Sequence, residues 1–166
     1  WEYQRQYKEA KENWEMAAKL DPQDPTGFRN LSLVYYNKSN EPGKACEVLE
    51  KAFGLDTSDA RVFLELDQLY KKLGMSTEDR IAFYEKYADT FVKRDDVFIE
   101  YITMKNFVGE HEKAYELLMG RKFHPWEGGE GKATTQYTTA LVGMAKRALA
   151  EKNYEEAEEL LEKALV

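Results

Sequence analysis

A single cysteine, Cys46, is all the thiol chemistry the sequence has, so an intrachain disulfide is excluded. With only two histidines, His111 and His124, and no CxxC pair, the ligand spacing of a structural zinc site is missing too, and no metal or cofactor is expected. Basic residues are in deficit. The 24 Lys and Arg against 31 Asp and Glu give a net charge of −7, which opposes the counterion-release attraction behind non-specific nucleic-acid binding. Long apolar runs are absent, which removes a membrane span. Neither nucleic acid nor membrane is an expected partner. No stretch sustains period-two alternation with β-branched residues, and no Asn-Gly or Asp-Gly hairpin signal occurs, so a β-sheet is not expected.

What remains is a chain of 166 residues, 43% hydrophobic and 33% charged, the composition and length of one soluble globular domain. The first residue is Trp1 and nothing resembling a signal peptide follows, so the chain reads as an excised fragment. A cytoplasmic location is the expectation, with any targeting signal outside the fragment.

One pattern recurs: an aromatic or Glu-rich turn, then alanine, a large residue four later and a small one seven later. Its copies are YKEAKENWEMAAKLDP (7 to 22), GKACEVLEKAFGLDT (43 to 57), HEKAYELLMGRKFHP (111 to 125) and YEEAEELLEKAL (154 to 165). Alanine anchors each at Ala10, Ala45, Ala114 and Ala157, where two helices crossing closely leave no room for a larger side chain. Between the copies run helical apolar stripes such as Phe28, Leu31, Tyr35 and Val62, Leu66, Leu69, Leu73. Asp24 before Pro25, and Ser76 before Glu78 and Asp79, read as N-caps. The reading is an all-α chain of about nine helices.

These anchors resemble tetratricopeptide repeats (TPR), whose consensus is 34 residues long. The resemblance implies a right-handed α-α superhelix of helix-turn-helix units over 1–166. The first unit is truncated at about 1–24, and the others lie near 25–58, 59–93, 94–126 and 133–166. One residue is inserted near Ser39 to Pro42, and the third unit's second helix is displaced, leaving Ile81 or Ala82 in the alanine slot. From Ala114 to Ala157 the separation is 43, nine more than the consensus, which places an inserted loop at 121–133 within RKFHPWEGGEGKATTQY (121 to 137). HPWEGGEGK is also similar to a signature in large bacterial multidomain proteins whose TPR units follow an N-terminal domain of unknown function that looks carbohydrate-associated.

The loop fails as a phosphate-binding loop, because Trp126 stands where the first glycine belongs and Ala133 where a hydroxyl residue is needed. It stays a binding candidate through His124, Trp126, Glu127, Glu130 and Lys132, with backbone N–H groups of 129–132 facing an anion at the helix start near Ala133. The competing reading has the glycines reverse the chain while Trp126 plugs the gap between the fourth and fifth units. Catalysis is not expected, since neighbouring carboxylates in one loop lack an orienting partner. Cys46 reads as a small core residue.

The resemblance places the first helices along a concave face that holds a protein, a peptide, or another domain of the parent chain. On that face it puts Arg29, Asn30, Leu33, Tyr36, Asn37, Arg61, Leu64, Glu65, Gln68, Lys71 and Lys72, the basic members of which would suit a carboxylate. The function implied is a non-catalytic scaffold, the alternative an accessory module of a carbohydrate-associated enzyme. End-to-end self-association through the terminal repeat faces is a further expectation.

Overall fold

The computed structural model describes residues 2–124 and 130–165, and the expected packing of Trp126 between units lies outside them. The described residues form ten helices and no strand. They are α1 (Glu2–Leu20), α2 (Pro25–Asn37), α3 (Pro42–Leu55), α4 (Ala60–Lys72), α5 (Thr77–Lys86), α6 (Ala88–Phe91), α7 (Asp95–Phe107), α8 (His111–Met119), α9 (Glu130–Ala150) and α10 (Tyr154–Ala164). They divide into two compact units, residues 1–91 and 92–166.

Helix starts follow the caps. The Asp24 carboxylate accepts from the Thr26 N–H at 2.9 Å, and the Ser76 hydroxyl accepts from the Asp79 N–H at 3.1 Å. The Thr26 bond holds the Asp24 carboxyl below its ordinary value. Asp59 caps α4 in the same way, accepting from Arg61 at 2.8 Å and Val62 at 3.1 Å. At the other ends, Gly74 (φ 81) and Gly109 (φ 85) adopt the left-handed conformation that lets the chain turn sharply. There the N–H of Met75 returns to the Tyr70 carbonyl and that of Glu110 to Lys105, both at 2.9 Å. Asn153 returns to Ala148 at 2.8 Å, with Lys152 taking the positive φ. After α2 the corresponding bond runs from Glu41 to Tyr35, one residue longer, with Asn40 at positive φ, which is the inserted residue near Ser39 to Pro42.

In unit 1, α2 packs on α1 and α3, and α4 on α3, α5 and α6. Ala45 and Ala52 are fully buried where α3 crosses, while Ala10 in α1 is only half-buried. A Cβ at Gly27 would stand 3.6 Å from the Ala18 backbone, so α1 and α2 approach to van der Waals contact. The core is aromatic: Phe63 stacks on Phe83 at 4.5 Å, and Phe53, Tyr84 and Tyr87 meet that pair edge-on. Cys46 is buried, and burial with Glu50 and Glu47 nearby pushes its thiol up to about 11, as an inert core residue requires.

The third repeat departs from the expected nine helices. Its second helix is broken at Tyr87 (φ −119, ψ 45) into α5 and α6. Ala82 is exposed; Arg80, Ile81 and Tyr84 are the buried positions. The Arg80 guanidinium forks onto Asp67 of α4 at 2.8 and 2.7 Å, and the Tyr84 hydroxyl donates to the same carboxylate at 2.9 Å. Two charges this deep are tolerated because each is fully hydrogen-bonded.

In unit 2, α7, α8 and α9 pack mutually and α10 lies on α9. Ala114, Ala140, Leu141, Ala145 and Ala157 are buried at these crossings. Where α2, α4 and α7 each have 13 residues, α9 has 21. The segment expected as a loop to 133 is therefore helical from Glu130, so Gly131 and Lys132 sit in the first turn of α9 rather than before it.

Candidate functional site

The face of unit 1 formed by α2 and α4 carries a groove of about 250 Å³. Its rim is Leu33, Tyr36, Asn37, Glu65 and Gln68, five of the residues expected on the concave face, and its floor is Ser32, Leu49 and Leu69. Ser32 is held down by a hydrogen bond from its hydroxyl to the Ala45 carbonyl at 2.8 Å. Leu33 and Tyr36 are 38% and 39% exposed, so apolar surface is offered to a ligand. The side-chain amides of Asn37 and Gln68 make no hydrogen bond among the described residues, leaving a donor and an acceptor each at the rim.

The basic members of the expected face are not arranged as a bare positive patch. Arg29 forks onto Glu65, with its Nε at 2.8 Å, and Arg61 approaches the same carboxylate at 3.4 Å. The Glu65 bond raises the Arg29 guanidinium still further above its ordinary value, against partial desolvation. Two arginines thus share one internal carboxylate, which takes the place of an external one. Both also line a separate cleft with Thr26, Asp59 and Val62. Lys72 lies over the Tyr36 ring at 4.5 Å and donates to its hydroxyl at 3.2 Å, so it bounds the groove through Tyr36. Asn30, Leu64 and Lys71 do not line it.

Of the loop candidates, Trp126 and Glu127 lie outside the described residues, Glu130 opens α9 and Lys132 is exposed in its first turn. His124 is placed by Asp95, the first residue of α7. Asp95 accepts from the His124 backbone N–H at 2.7 Å, lies 3.2 Å from its Nδ1, and accepts from Arg121 at 2.8 Å. Arg121 also donates to the Val92 carbonyl and stacks over Phe98 at 4.3 Å. Burial opposes the ionised form of Asp95, yet the His124 N–H and Arg121 outweigh it and hold the carboxyl below its ordinary range. A lowered folded-state pKa contributes stability above the unfolded value, about 3.9, that is lost as pH falls through the lower folded value. The urea midpoint of unit 2 is therefore expected to fall in acid, and Asp95→Asn to flatten that limb; an unchanged acid slope in the variant would contradict the assignment.

Unit 2 holds a second, wider groove that the sequence did not single out, about 940 Å³ in volume. Thr134, Thr135, Thr138, Thr139, Val142 and Lys146 of α9 line it, and His111 at the start of α8 forms a wall. The His111 ring lies flat on the α9 backbone at Gly143: a Cβ there would come within 2.3 Å of it. Asn106, buried, holds the ring from behind, its Oδ1 3.0 Å from His111 Nδ1, while its Nδ2 donates to the Gln136 carbonyl and Oε1, both at 3.0 Å. A backbone carbonyl only accepts, so the Asn106 nitrogen must face Gln136, its oxygen must face His111, and His111 Nδ1 must carry the proton. In the sequence His111 reads as a turn residue, because its partners come from helices far along the chain.

Gly143→Ala consequently carries an unusual sign. In an open helical position such as Gly54, where an added Cβ meets nothing within 4 Å, alanine is expected to stabilise by up to about 1 kcal/mol. At 143 the same change must evict His111 and break its bond to Asn106, and is expected to destabilise by about 1–2 kcal/mol in chemical denaturation. Stabilisation at both positions would show that the ring does not occupy the notch.

Among the described residues no group of three His, Cys, Asp or Glu could hold a metal, and no helix is long and apolar enough to cross a membrane. No known family model matches the chain. Among solved structures it is similar to MamA, at 18% identity and a TM-score of 0.56 over 99% of this chain and 90% of that one. It is similar to YrrB, a TPR protein with an unusual peptide-binding site, at 17% identity and a TM-score of 0.59 over 99% and 79%. PilF of Pseudomonas aeruginosa aligns at 18% identity and a TM-score of 0.54 over 98% and 70%. What this likeness establishes is the fold: the chain has the all-α helix-turn-helix repeat architecture of the tetratricopeptide-repeat proteins.

Proposed function

We propose that the chain is a non-catalytic scaffold that binds an extended peptide segment of a partner protein in the α2–α4 groove of unit 1. The observation that carries this is the rim itself. Two half-exposed apolar side chains, Leu33 and Tyr36, stand beside two amides, Asn37 and Gln68, that have no hydrogen-bond partner among the described residues. An amide side chain can donate to a peptide carbonyl and accept from a peptide N–H at once, and an apolar anchor supplies the buried area that backbone bonds alone do not. The peptide-binding site of YrrB, whose fold this chain shares, supports the same kind of use. Because Glu65 already neutralises much of Arg29 and Arg61, the ligand on this face is held by an apolar anchor and its backbone rather than by a cluster of acidic side chains.

Selection of peptides from a displayed random library against the full chain tests this. Selected peptides are expected to share an apolar anchor, and Tyr36→Ala with Asn37→Ala to weaken them by about tenfold or more, roughly the loss of one anchor contact and one hydrogen bond. Peptides that bind the double variant undiminished would overturn the assignment of this groove.

A further inference from the structure

The groove of unit 2 is built differently and stands independently of the unit 1 reading. The hydroxyl of Thr135 is spent on the Gly131 carbonyl at 2.7 Å and that of Thr139 on the Thr135 carbonyl at 2.8 Å, so these side chains turn methyls and acceptor lone pairs, not protons, to a ligand. The wall has one fixed acceptor. With Nδ1–H committed to Asn106, Nε2 is the ring nitrogen left to accept from a ligand, and the Gly143 notch and the Asn106–Gln136 bonds hold the ring in this seat. One turn along α9 from Gly143 stands Lys146, the cation of the lining; among the described lining residues there is no carboxylate to neutralise it, in a chain whose net charge is −7.

An acceptor on the same groove as an ammonium, with no carboxylate among the described lining residues and threonine side chains as the floor, matches a ligand that offers an N–H next to an anion. An acidic residue in an extended peptide does so, with its backbone N–H one side of Cα and its carboxylate on the other. We propose that this groove is a second binding site, taking an Asp- or Glu-containing segment of a partner protein with the acidic side chain on Lys146 and that residue's N–H on His111 Nε2.

The test is NMR titration of the full chain with acetyl-Ala-Glu-Ala-amide, its Gln counterpart, and the Glu peptide N-methylated at Glu. The Glu peptide is expected to shift the His111 ring and Lys146 side-chain resonances. Replacing Glu by Gln, or Lys146 by Met, is expected to weaken binding by about tenfold, the scale of one charge-assisted hydrogen bond. N-methylation should weaken it by several-fold. Lys146 is exposed, so Lys146→Met leaves the fold intact, whereas Gly143→Ala should also abolish the His111 shift by displacing the ring. Tyr36→Ala in unit 1 should change nothing, which keeps failure here distinct from failure of the unit 1 groove. Equal binding of the Glu and Gln peptides, shifts confined to other residues, or no shift at saturating peptide would each overturn the proposal.

Discussion

Replacing Asp67 by Ala is expected to destabilise the chain by about 3–5 kcal/mol, the cost of removing the carboxylate onto which a buried guanidinium forks. Arg80 would keep its guanidinium at about one-twentieth exposure with both of its bonds to Asp67 gone, and the Tyr84 hydroxyl would lose its acceptor in the same step. At about 2–4 °C per kcal/mol for a chain of this length, the melting temperature should fall by roughly 6–20 °C. The pair itself is not a large source of net stability, since its desolvation offsets most of the attraction. Asp67→Leu combined with Arg80→Met should therefore recover most of the loss. Thermal unfolding of the single and double variants decides this. A single variant within about 1 kcal/mol of the parent would show that the pair is not buried as described.

Phe63→Ala is expected to cost a similar amount, about 3–5 kcal/mol in urea denaturation. Phe63 is completely buried and lies almost parallel to Phe83, with interplanar angle 7°, while Tyr84 meets it edge-on at 4.7 Å. Removing its ring takes the central partner from the aromatic cluster joining α3, α4 and α5, and rings held by one another cannot collapse into the space without abandoning their geometry. A cost below about 1 kcal/mol would mean that the cluster repacks freely.

What could be read in the sequence was local or periodic. Asp24 and Ser76 cap the helices they precede, and Ala45, Ala114 and Ala157 are buried at crossings, because capping needs only a short side chain two or three residues away and close crossing needs only a small one. The extra residue before α3 was legible from the alanine spacing alone.

What escaped depended on partners distant in sequence. Asp67 and Arg80 look like solvated helix charges until α5 is laid on α4. Arg29 and Arg61 look like a basic patch until Glu65, 36 residues from Arg29, is placed between them. The glycines after Trp126 read as a loop, yet α9 begins at Glu130, since a helix whose inner face buries Leu141 and Ala145 tolerates a poor helix former in its first turn. His111 gave no local signal, because its seat is a glycine 32 residues away. Within the candidate site, Leu33, Tyr36, Asn37 and Gln68 were named from the repeat register; that their amides are left without partners required the three-dimensional neighbours of each.

The measurement that tests the central claim most directly is the side-chain amide NMR spectrum of the full chain with and without a selected peptide. Binding in the unit 1 groove is expected to shift the NH₂ resonances of Asn37 and Gln68 together, to slow their exchange with water, and to leave the amides of Asn40 and Asn153 unmoved. A tight-binding peptide that leaves both Asn37 and Gln68 unperturbed would contradict the account and place recognition on another face.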